Sequence, residues 1–371
     1  MTRQYLCYDI KGIQSFIFKI PKLKYIIGGS VLIDRFDKND VKDLVQPGIE
    51  RLFSGGGKGA FICDINKVAE LKKQLIKKAH AIGVDIRIGA NENFSVAAQQ
   101  ADELYAYVPD LNDGQPCSVS GLYPVEGEEE HPVVKKRVFQ RGERIDRYFE
   151  EQLLKEIKID GINNDDLSFF HDVSNGADND RPALAGSNRW AVIAMDGNDM
   201  GFQFRHQVAD NNPDRLAEAS LQKWIGEMSH AIDACSTASA IEGIQAVIEH
   251  WQQTDEWQSV LDNVGQDIVL PIRPLIVGGD DIVVLCHPSY AMAFVKAAIA
   301  RFNDESKQYS NLWPATAGEL TITAGVLVAP VTLPLHTAIP YAETLLVSAK
   351  TKGRELHEHG HPSPACIDWE H

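Results

Sequence analysis

The chain of 371 residues carries 52 acidic side chains against 36 Lys and Arg, has a formal net charge of -16, and is 44% hydrophobic. This length can bury a large core and predicts about two or three domains. No apolar run approaches the roughly 18 residues of a membrane span, and the first residues lack a signal peptide's apolar core. We therefore expect a cytoplasmic protein with no membrane partner. The acidic balance argues against a general coat for a nucleic-acid backbone and leaves direct nucleic-acid binding open.

A strand, a turn and a helix open the chain, where YLCYDI ends at Asp9 and GIQSFIF follows. The next helix, GGSVLIDRF, carries Ser30, and RLFSGGGKGAFICDI then predicts a β-hairpin whose turn begins at Gly55. A helical segment, a strand (VDIRIGA) and an amphipathic helix complete the unit. This order predicts a βαββαβ domain over residues 1–110.

Residues 111–185 connect this unit to a second copy of the same pattern. The segment is partly helical, and its density of Asn, Asp and Gly is typical of a long surface connection.

The second copy covers residues 186–358. The strand WAVIAMD ends at Asp196, the segment EASLQKWIG carries Ser220, and the hairpin PLIVGGDDIVVLC replaces the first copy's GGGKG. A polar, Trp-containing insertion at about 211–266 lengthens this copy, and residues 359–371 are predicted to be a tail. The sequence predicts an α/β (α+β) protein with two ferredoxin-like palm domains, of the kind found in nucleotide cyclases and polymerases, packed as a pseudo-dimer.

Carboxylates at the hairpin tip carry the predicted chemistry. In a βαββαβ sheet the first strand's end lies beside the central hairpin, so Asp196 should meet Asp280 and Asp281. Adjacent anions resist desolvation, and an all-oxygen set suits Mg²⁺ or Mn²⁺, here a two-metal site for nucleotidyl transfer. Gly278 and Gly279 would let phosphates approach the backbone. The plainer interpretation of GGDD is a surface turn.

A cation should help to hold a triphosphate, and we predict that Lys350 does so. It falls in the last turns of a helix expected to begin at Pro340 and end near Gly353. The alternative is a solvated lysine that complements the helix C-terminus.

The first copy keeps Asp9 but has no hairpin carboxylate, so we expect no metal there. The set Gly55, Gly56, Gly57 and Lys58 can either cradle a second nucleotide through backbone N–H groups and the lysine, or only pack an interface. Ser30 and Ser220 are candidates for contacts with phosphate or ribose, and the alternative for both is a helix cap or a packing residue.

The ordered set DIKGIQSFIF, LKYIIGGSVLIDRF, FSGGGKGAFI, AMDGNDMG, IVGGDD, LTITAGV and AETLLVSAK resembles the large polymerase-like subunit of type III CRISPR effector complexes. The resemblance implies that the second palm joins ATP molecules into cyclic oligoadenylates and that the first palm is degenerate. It also implies that Asp196, Asp280 and Asp281 are metal ligands, joined by the carbonyl of Gly197. The implied partners are other effector-complex subunits or a self-dimer, and a downstream effector that the cyclic nucleotide activates in antiviral defence.

The sequence departs from the family pattern in two places. Members usually begin with an HD nuclease domain, whereas this chain starts at the first palm, and its His171-Asp172 pair has no nuclease context. Many members carry a zinc ribbon, but here Ser120 stands where the second Cys after Cys117 is expected. The six cysteines are otherwise far apart, so we expect reduced thiols and no zinc.

Three alternative functions stay open. Diguanylate cyclases with a GGDEF motif share the palm, but they place Phe after the motif and a guanine-reading Asn eight residues after the first Asp. Here those positions hold Ile282 and Phe204, which favours adenine by family analogy. A class III cyclase making a 3′,5′-cyclic mononucleotide is the second alternative, and a non-catalytic nucleotide-binding subunit is the third.

Overall fold

The computed structural model describes residues 3–20, 23–106, 115–116, 124–125, 132–137, 147–170, 188–208, 218–261, 268–358 and 360–371. The chain divides into two compact units: unit 1 comprises Met1–Asp146 and Leu216–Ser229, and unit 2 comprises Arg147–Arg215 and His230–His371. The domain boundaries predicted from the sequence stay a prediction. None of the helices in the described ranges is long and apolar enough to cross a membrane.

Unit 1 contains a four-stranded antiparallel sheet with the strand order β2-β3-β1-β4. Its elements are β1 (Arg3–Ile10), α1 (Ile13–Phe18), α2 (Leu23–Arg35), β2 (Ile49–Gly55), β3 (Lys58–Asp64), α3 (Val68–Ile82), β4 (Ile86–Asn91), α4 (Phe94–Glu103), β5 (Gln115–Pro116), β6 (Pro124–Val125) and α5 (Pro132–Arg137). The first strand lies inside the sheet between the third and the fourth, which is the ferredoxin-like arrangement predicted for this copy.

Unit 2 repeats this topology, with the strand order β10-β11-β8-β12-β13. The elements are α6 (Arg147–Glu156), β7 (Leu167–Phe169), β8 (Arg189–Gly197), α7 (Met200–Val208), α8 (Glu218–Trp251), α9 (Asp255–Leu261), β9 (Ile268–Leu270), β10 (Ile272–Gly278), β11 (Asp281–Cys286), α10 (Ala291–Lys307), β12 (Ile322–Pro330), α11 (Leu335–Glu355) and β13 (Ile367–Glu370). The prediction of two ferredoxin-like palm domains is confirmed.

Two features of unit 2 differ from the pattern read in the sequence. The residues predicted as a tail contain β13, which pairs in parallel with β12 and adds a fifth strand at the sheet edge. The predicted insertion contains the whole 34-residue helix α8, whose counterpart α2 has 13 residues. Residues of α8 up to Ser229 group with unit 1, and those from His230 group with unit 2.

A glycine in the fourth strand of each sheet brings the following helix close. A Cβ on Gly325 of β12 would lie 2.2 Å from the carbonyl oxygen of Ala342 in α11. A Cβ on Gly89 of β4 would lie 2.1 Å from the carbonyl oxygen of Ala97 in α4. Only glycine allows this approach, so α11 lies directly on the sheet, and its side chains reach the end of β8.

A buried carboxylate fixes the hairpin turn of unit 1. Asp37, which is 4% exposed, accepts hydrogen bonds from the Tyr8 hydroxyl at 3.1 Å and from the backbone N–H of Gly57 at 2.7 Å. Burial raises the pKa of Asp37 to about 7, although both hydrogen bonds oppose the shift. The turn is therefore held by a group that titrates near neutral pH.

This titration should make the stability of unit 1 depend on pH. The folded protein binds the Asp37 proton more tightly than the unfolded chain, whose Asp titrates near about 3.9. The contribution of Asp37 to stability is fully present below about pH 4 and is lost as the pH rises to about 7, by up to about 1.4 kcal/mol per pH unit. Between pH 5 and pH 8, the melting temperature of Asp37→Asn should fall less steeply with rising pH than that of wild type. The amide oxygen of this variant can still accept the hydrogen bond from Gly57. The exposed Asp43→Asn is the matched control, and equal slopes in Asp37→Asn and wild type would contradict the prediction.

Candidate active site

Strand register brings the predicted carboxylates of unit 2 together. Antiparallel pairing of β8 with β11 places Asp196 opposite Asp281, and Asp280 precedes Asp281 in the hairpin turn. The backbone N–H of Gly197 donates to the carbonyl oxygen of Asp280 at 3.1 Å, which ties the end of β8 to the turn. Three carboxylates therefore meet at one end of the sheet.

The turn between β10 and β11 is held from outside the hairpin. Gly278 pairs with Asp281, so Gly279 and Asp280 form a two-residue turn, and of these two only Gly279 has a positive φ, +59°. This pattern is typical of a type II′ turn, which requires glycine at its first central position. The hydroxyl of Ser236 in α8, fully buried, donates to the Gly279 carbonyl at 2.6 Å. Sequence reasoning missed Ser236, because nothing in its local pattern distinguishes it from a packing residue.

Lys350 supplies the positive charge at the site. Its Nζ atom lies 2.6 Å from Asp196 Oδ2 and donates to the carbonyl oxygen of Gly197 at 2.9 Å. The Lys350 side chain is 15% exposed, so the alternative of a solvated lysine is wrong. Helix α11 runs from Leu335 to Glu355 with Pro340 inside it, so both of its predicted ends were too far inward.

One ammonium group does not compensate three carboxylates. Burial, followed by repulsion from Asp196, raises the pKa of Asp280 to about 6. Burial, then repulsion from Asp280 and Asp196, raises the pKa of Asp281 to about 7, and in both cases Lys350 opposes the shift. The two hairpin carboxylates thus retain protons well above their ordinary range, and a further cation at the site would be stabilised.

The donor set fits a metal that arrives with phosphate oxygens better than a metal enclosed by protein alone. Within the described ranges, no group of three or more His, Cys, Asp or Glu side chains is arranged to hold a metal ion. Mg²⁺ is usually bound by one or two carboxylates together with substrate phosphates and water. Lys350 contacts two oxygen atoms, Asp196 Oδ2 and Gly197 O, and oxygen atoms are the ligands that Mg²⁺ prefers. The predicted two-metal site stays a prediction.

The corresponding place in unit 1 is neutralised by cations. Asp9, 5% exposed, pairs in register with Lys58 on β3 and with Arg87 on β4, and the ammonium of Lys11 contacts its carboxylate. Lys58 thus has the register position that Asp281 has in unit 2. Cationic residues thus take the place of the hairpin carboxylates beside Asp9, and the absence of a metal in this unit stays a prediction.

The backbone of the first hairpin is less available to a ligand than the sequence suggested. Gly57 donates its N–H to Asp37, and its carbonyl accepts from Ile10 at 2.8 Å, so neither group can contact a phosphate in this arrangement. Gly55 is half-buried, while Gly56 and Lys58 are exposed.

The two candidate serines both lie in unit 1. Ser30 is half-buried on α2, and Ser220 is exposed on the part of α8 that groups with unit 1. Their predicted contact with a nucleotide stays a prediction. Cys117, Ser120, His171 and Asp172 lie outside the described residues.

Sequence reasoning also missed the residues that shape the loop after β8. Asn198 is buried, and its side chain donates to the hydroxyls of Thr321 at 2.8 Å and Thr323 at 2.9 Å. Asp199 has φ +64° and receives two hydrogen bonds from Ser363. The available signal was an Asn-Asp pair directly after a strand end, since these residue types tolerate the left-handed region.

Two ferredoxin-like units, one with carboxylates at its hairpin tip, define the palm class of nucleotide cyclases and polymerases. Residues 189–356 match the family model of the second palm domain of Cas10/Cmr2. This part of the chain is therefore similar to a Cas10-type palm, and the resemblance to the large subunit of type III CRISPR complexes is confirmed.

Solved structures show the same fold over nearly the whole chain. The Csm1-Csm4 cassette in complex with cA4 matches with a TM-score of 0.51 and 14% identity, covering 95% of this chain and 53% of that chain. The same cassette in complex with one ATP matches with a TM-score of 0.51 and 15% identity, covering 95% and 54%. The chain thus spans about half the length of the solved chains that it matches. No curated protein matches it.

Removal of the Lys350 charge should destabilise unit 2. Lys350→Met leaves Asp196, which is 32% exposed, without its ion-pair partner, and we expect a loss of about 1–3 kcal/mol, between the values for surface and buried pairs. Asp196→Asn in the same chain should recover most of this loss. Denaturant unfolding followed by tryptophan fluorescence measures both effects. Lys352→Met removes an exposed lysine two residues away and should change stability little. Equal effects of the two lysine variants would contradict the assigned ion pair.

Proposed function

We propose that this protein is a metal-dependent nucleotidyltransferase that makes a cyclic oligoadenylate from ATP. The observation that carries the proposal is the pairing of Asp196 with Asp281 in register, with Asp280 beside them and Lys350 as their counter-ion. Carboxylates with raised pKa values and one lysine at a strand end form a site that gains from a divalent cation and an anionic substrate.

Each residue of the site has a proposed role. Asp196, Asp280, Asp281 and the carbonyl of Gly197 would hold the metal together with phosphate oxygens of the substrate. Gly278 and Gly279 have open space where a Cβ would stand, so phosphates can approach the hairpin backbone. Lys350 would bind phosphate oxygens. When bound, the divalent metal supplies charge neutralisation of the leaving pyrophosphate and lowers the pKa of the attacking hydroxyl.

The likeness to solved complexes supports the choice of substrate. Related cassettes are known with ATP and with cA4, so adenine nucleotides are the proposed ligands of this chain as well. In the proposed reaction, a ribose hydroxyl of one ATP attacks the α-phosphorus of another, and the new P–O bond replaces the bond to pyrophosphate.

The proposed partners and place of action follow from the same likeness. Csm1 forms a cassette with Csm4, and we propose that this chain works in the cytoplasm beside comparable subunits or as a self-dimer. Its product would activate a downstream effector in antiviral defence.

Product analysis tests the proposal. Purified protein is incubated with each NTP and Mg²⁺ or Mn²⁺, and products are identified by mass spectrometry. We expect a cyclic oligoadenylate from wild type, and a loss of at least about 100-fold in Asp280→Ala/Asp281→Ala, because side chains that would hold the metal are removed. Asp304→Ala, which changes an exposed carboxylate of the same unit, should retain activity.

Two results would contradict the proposal. A cyclic dinucleotide or mononucleotide would assign the chain to another cyclase class. Nucleotide binding without any product, with and without target RNA, would favour a non-catalytic nucleotide-binding subunit.

A further inference from the structure

The segment that follows α11 returns to the site. We call residues 360–370 the return segment. Its strand β13 pairs in parallel with β12, with Ile367 opposite Ala324, and the carbonyl of Cys366 accepts from the N–H of Ala324 at 3.0 Å. The backbone N–H of Cys366 donates to the Thr323 hydroxyl at 3.3 Å. The return segment is therefore anchored on the strand that borders β8.

One residue of this segment is hydrogen-bonded to the loop that follows β8. Ser363, 5% exposed, donates its backbone N–H to Asp199 Oδ2 at 2.6 Å and its hydroxyl to Asp199 Oδ1 at 2.8 Å. Hydrogen bonds to an ionised carboxylate are about twice as strong as neutral ones, and these two occupy both oxygens. Ser363 is in turn fixed, because its carbonyl accepts from the Thr321 hydroxyl.

Asp199, the residue that Ser363 binds, has a strained backbone conformation. Asp199 has φ +64°, a left-handed conformation that costs free energy for any residue with a Cβ. Its carbonyl accepts from the N–H groups of Phe202 at 2.9 Å and Gln203 at 3.0 Å, so the same residue starts α7. The two bonds from Ser363 offset the strain, and without them the loop can relax to an ordinary conformation.

The strained residue lies directly beside the proposed metal ligands. Asp199 follows Asp196 and Gly197 with only Asn198 between, and the N–H of Asn198 donates to the Thr321 carbonyl at 2.8 Å. The Gly197 carbonyl, which Lys350 contacts, lies on the peptide that joins Gly197 to Asn198. The Gly197–Asn198 peptide is held through Asn198 by β12 and, one residue later, by the contact of Asp199 with Ser363, so loss of that contact would remove one of the two supports of this carbonyl.

We propose that Ser363 and Asp199 are positioning residues, which aim the Gly197 carbonyl and Asp196 at the metal and the nucleotide. The return segment is then a part of the active site's framework, although it contacts no substrate. This inference rests on the proposed function, because the two residues are proposed to position the groups that bind the metal and the nucleotide.

The test compares Ser363→Ala with Ser363→Thr, which restores the hydroxyl, and with Thr351→Ala, which removes an exposed hydroxyl on α11. Amide hydrogen exchange, measured in peptides that cover residues 196–203 and in the absence of nucleotide, reports the opening of the loop directly. Turnover of ATP is measured well below the melting temperature of every variant. Asp199→Gly, alone and combined with Ser363→Ala, removes both the strain and the anchored carboxylate.

We expect Ser363→Ala to increase exchange in residues 196–203 and to lower turnover by about 10- to 100-fold, the effect of a misplacement of about 1 Å. Ser363→Thr and Thr351→Ala should resemble wild type. In the Asp199→Gly background, Ser363→Ala should have little further effect, because the contact is already lost.

Two results would overturn the inference. Unchanged exchange in Ser363→Ala would show that Ser363 does not hold the loop, even if the wild type makes no product. Increased exchange with wild-type turnover would show a structural role alone and leave the proposed function intact. A wild type without product, in contrast, counts against the proposed function.

Discussion

The repulsion among three carboxylates at the end of β8 is the constraint on which unit 2 depends. Pairing of β8 with β11 forces Asp196 and Asp281 to opposite positions, where like charges destabilise a sheet. At about 5 Å and an effective dielectric constant of 20, each such pair costs about 3 kcal/mol. Lys350 offsets part of this cost, and it reaches Asp196 because Gly325 lets α11 lie on the sheet. Burial first, and this repulsion after it, raise the pKa values of Asp280 and Asp281.

The two units differ in how they balance the charge of the aspartate at the end of the first strand of each sheet. In unit 1, Asp9 lies between Lys58 and Arg87 and is paired with Lys11, so its charge is balanced within the unit. In unit 2, the corresponding neighbours are Asp281 and Thr323, and the balance is incomplete. The topology is shared, but only the second unit keeps an electrostatic demand that a metal and a nucleotide can meet.

Much of this architecture was predictable, because the repeat supplied an internal comparison. Two strand ends at Asp9 and Asp196, two Gly-Gly hairpins and the helices after them were enough to predict both sheets and the meeting of Asp196 with the hairpin. The rest had no counterpart in the repeat. Contacts such as Asp199 with Ser363 join residues 164 positions apart and leave no periodic signal.

The same limit applies to single hydrogen bonds. Ser236 binds the carbonyl of Gly279, and Asp37 binds the N–H of Gly57, each through a single hydrogen bond. The sequence around both side chains looks like an ordinary helix. The length of α8 was read as an insertion because it exceeds its counterpart. Local pattern predicts elements well, whereas the side chains that set a loop's conformation are fixed by distant parts of the chain.

The turn geometry of the first hairpin has a consequence for the residues that it accepts. Gly56 and Gly57 both have positive φ, and a Cβ on Gly57 would lie 2.1 Å from Ile13 Cδ1. An aspartate at position 57 would face that collision and an unfavourable backbone together, whereas Asp280 has neither problem in a turn where only Gly279 needs a positive φ. A carboxylate at this position of unit 1 would therefore require the side chain of Ile13 to move and an aspartate to adopt a left-handed backbone conformation. The turn of unit 1 favours glycine where the turn of unit 2 accepts an acidic residue.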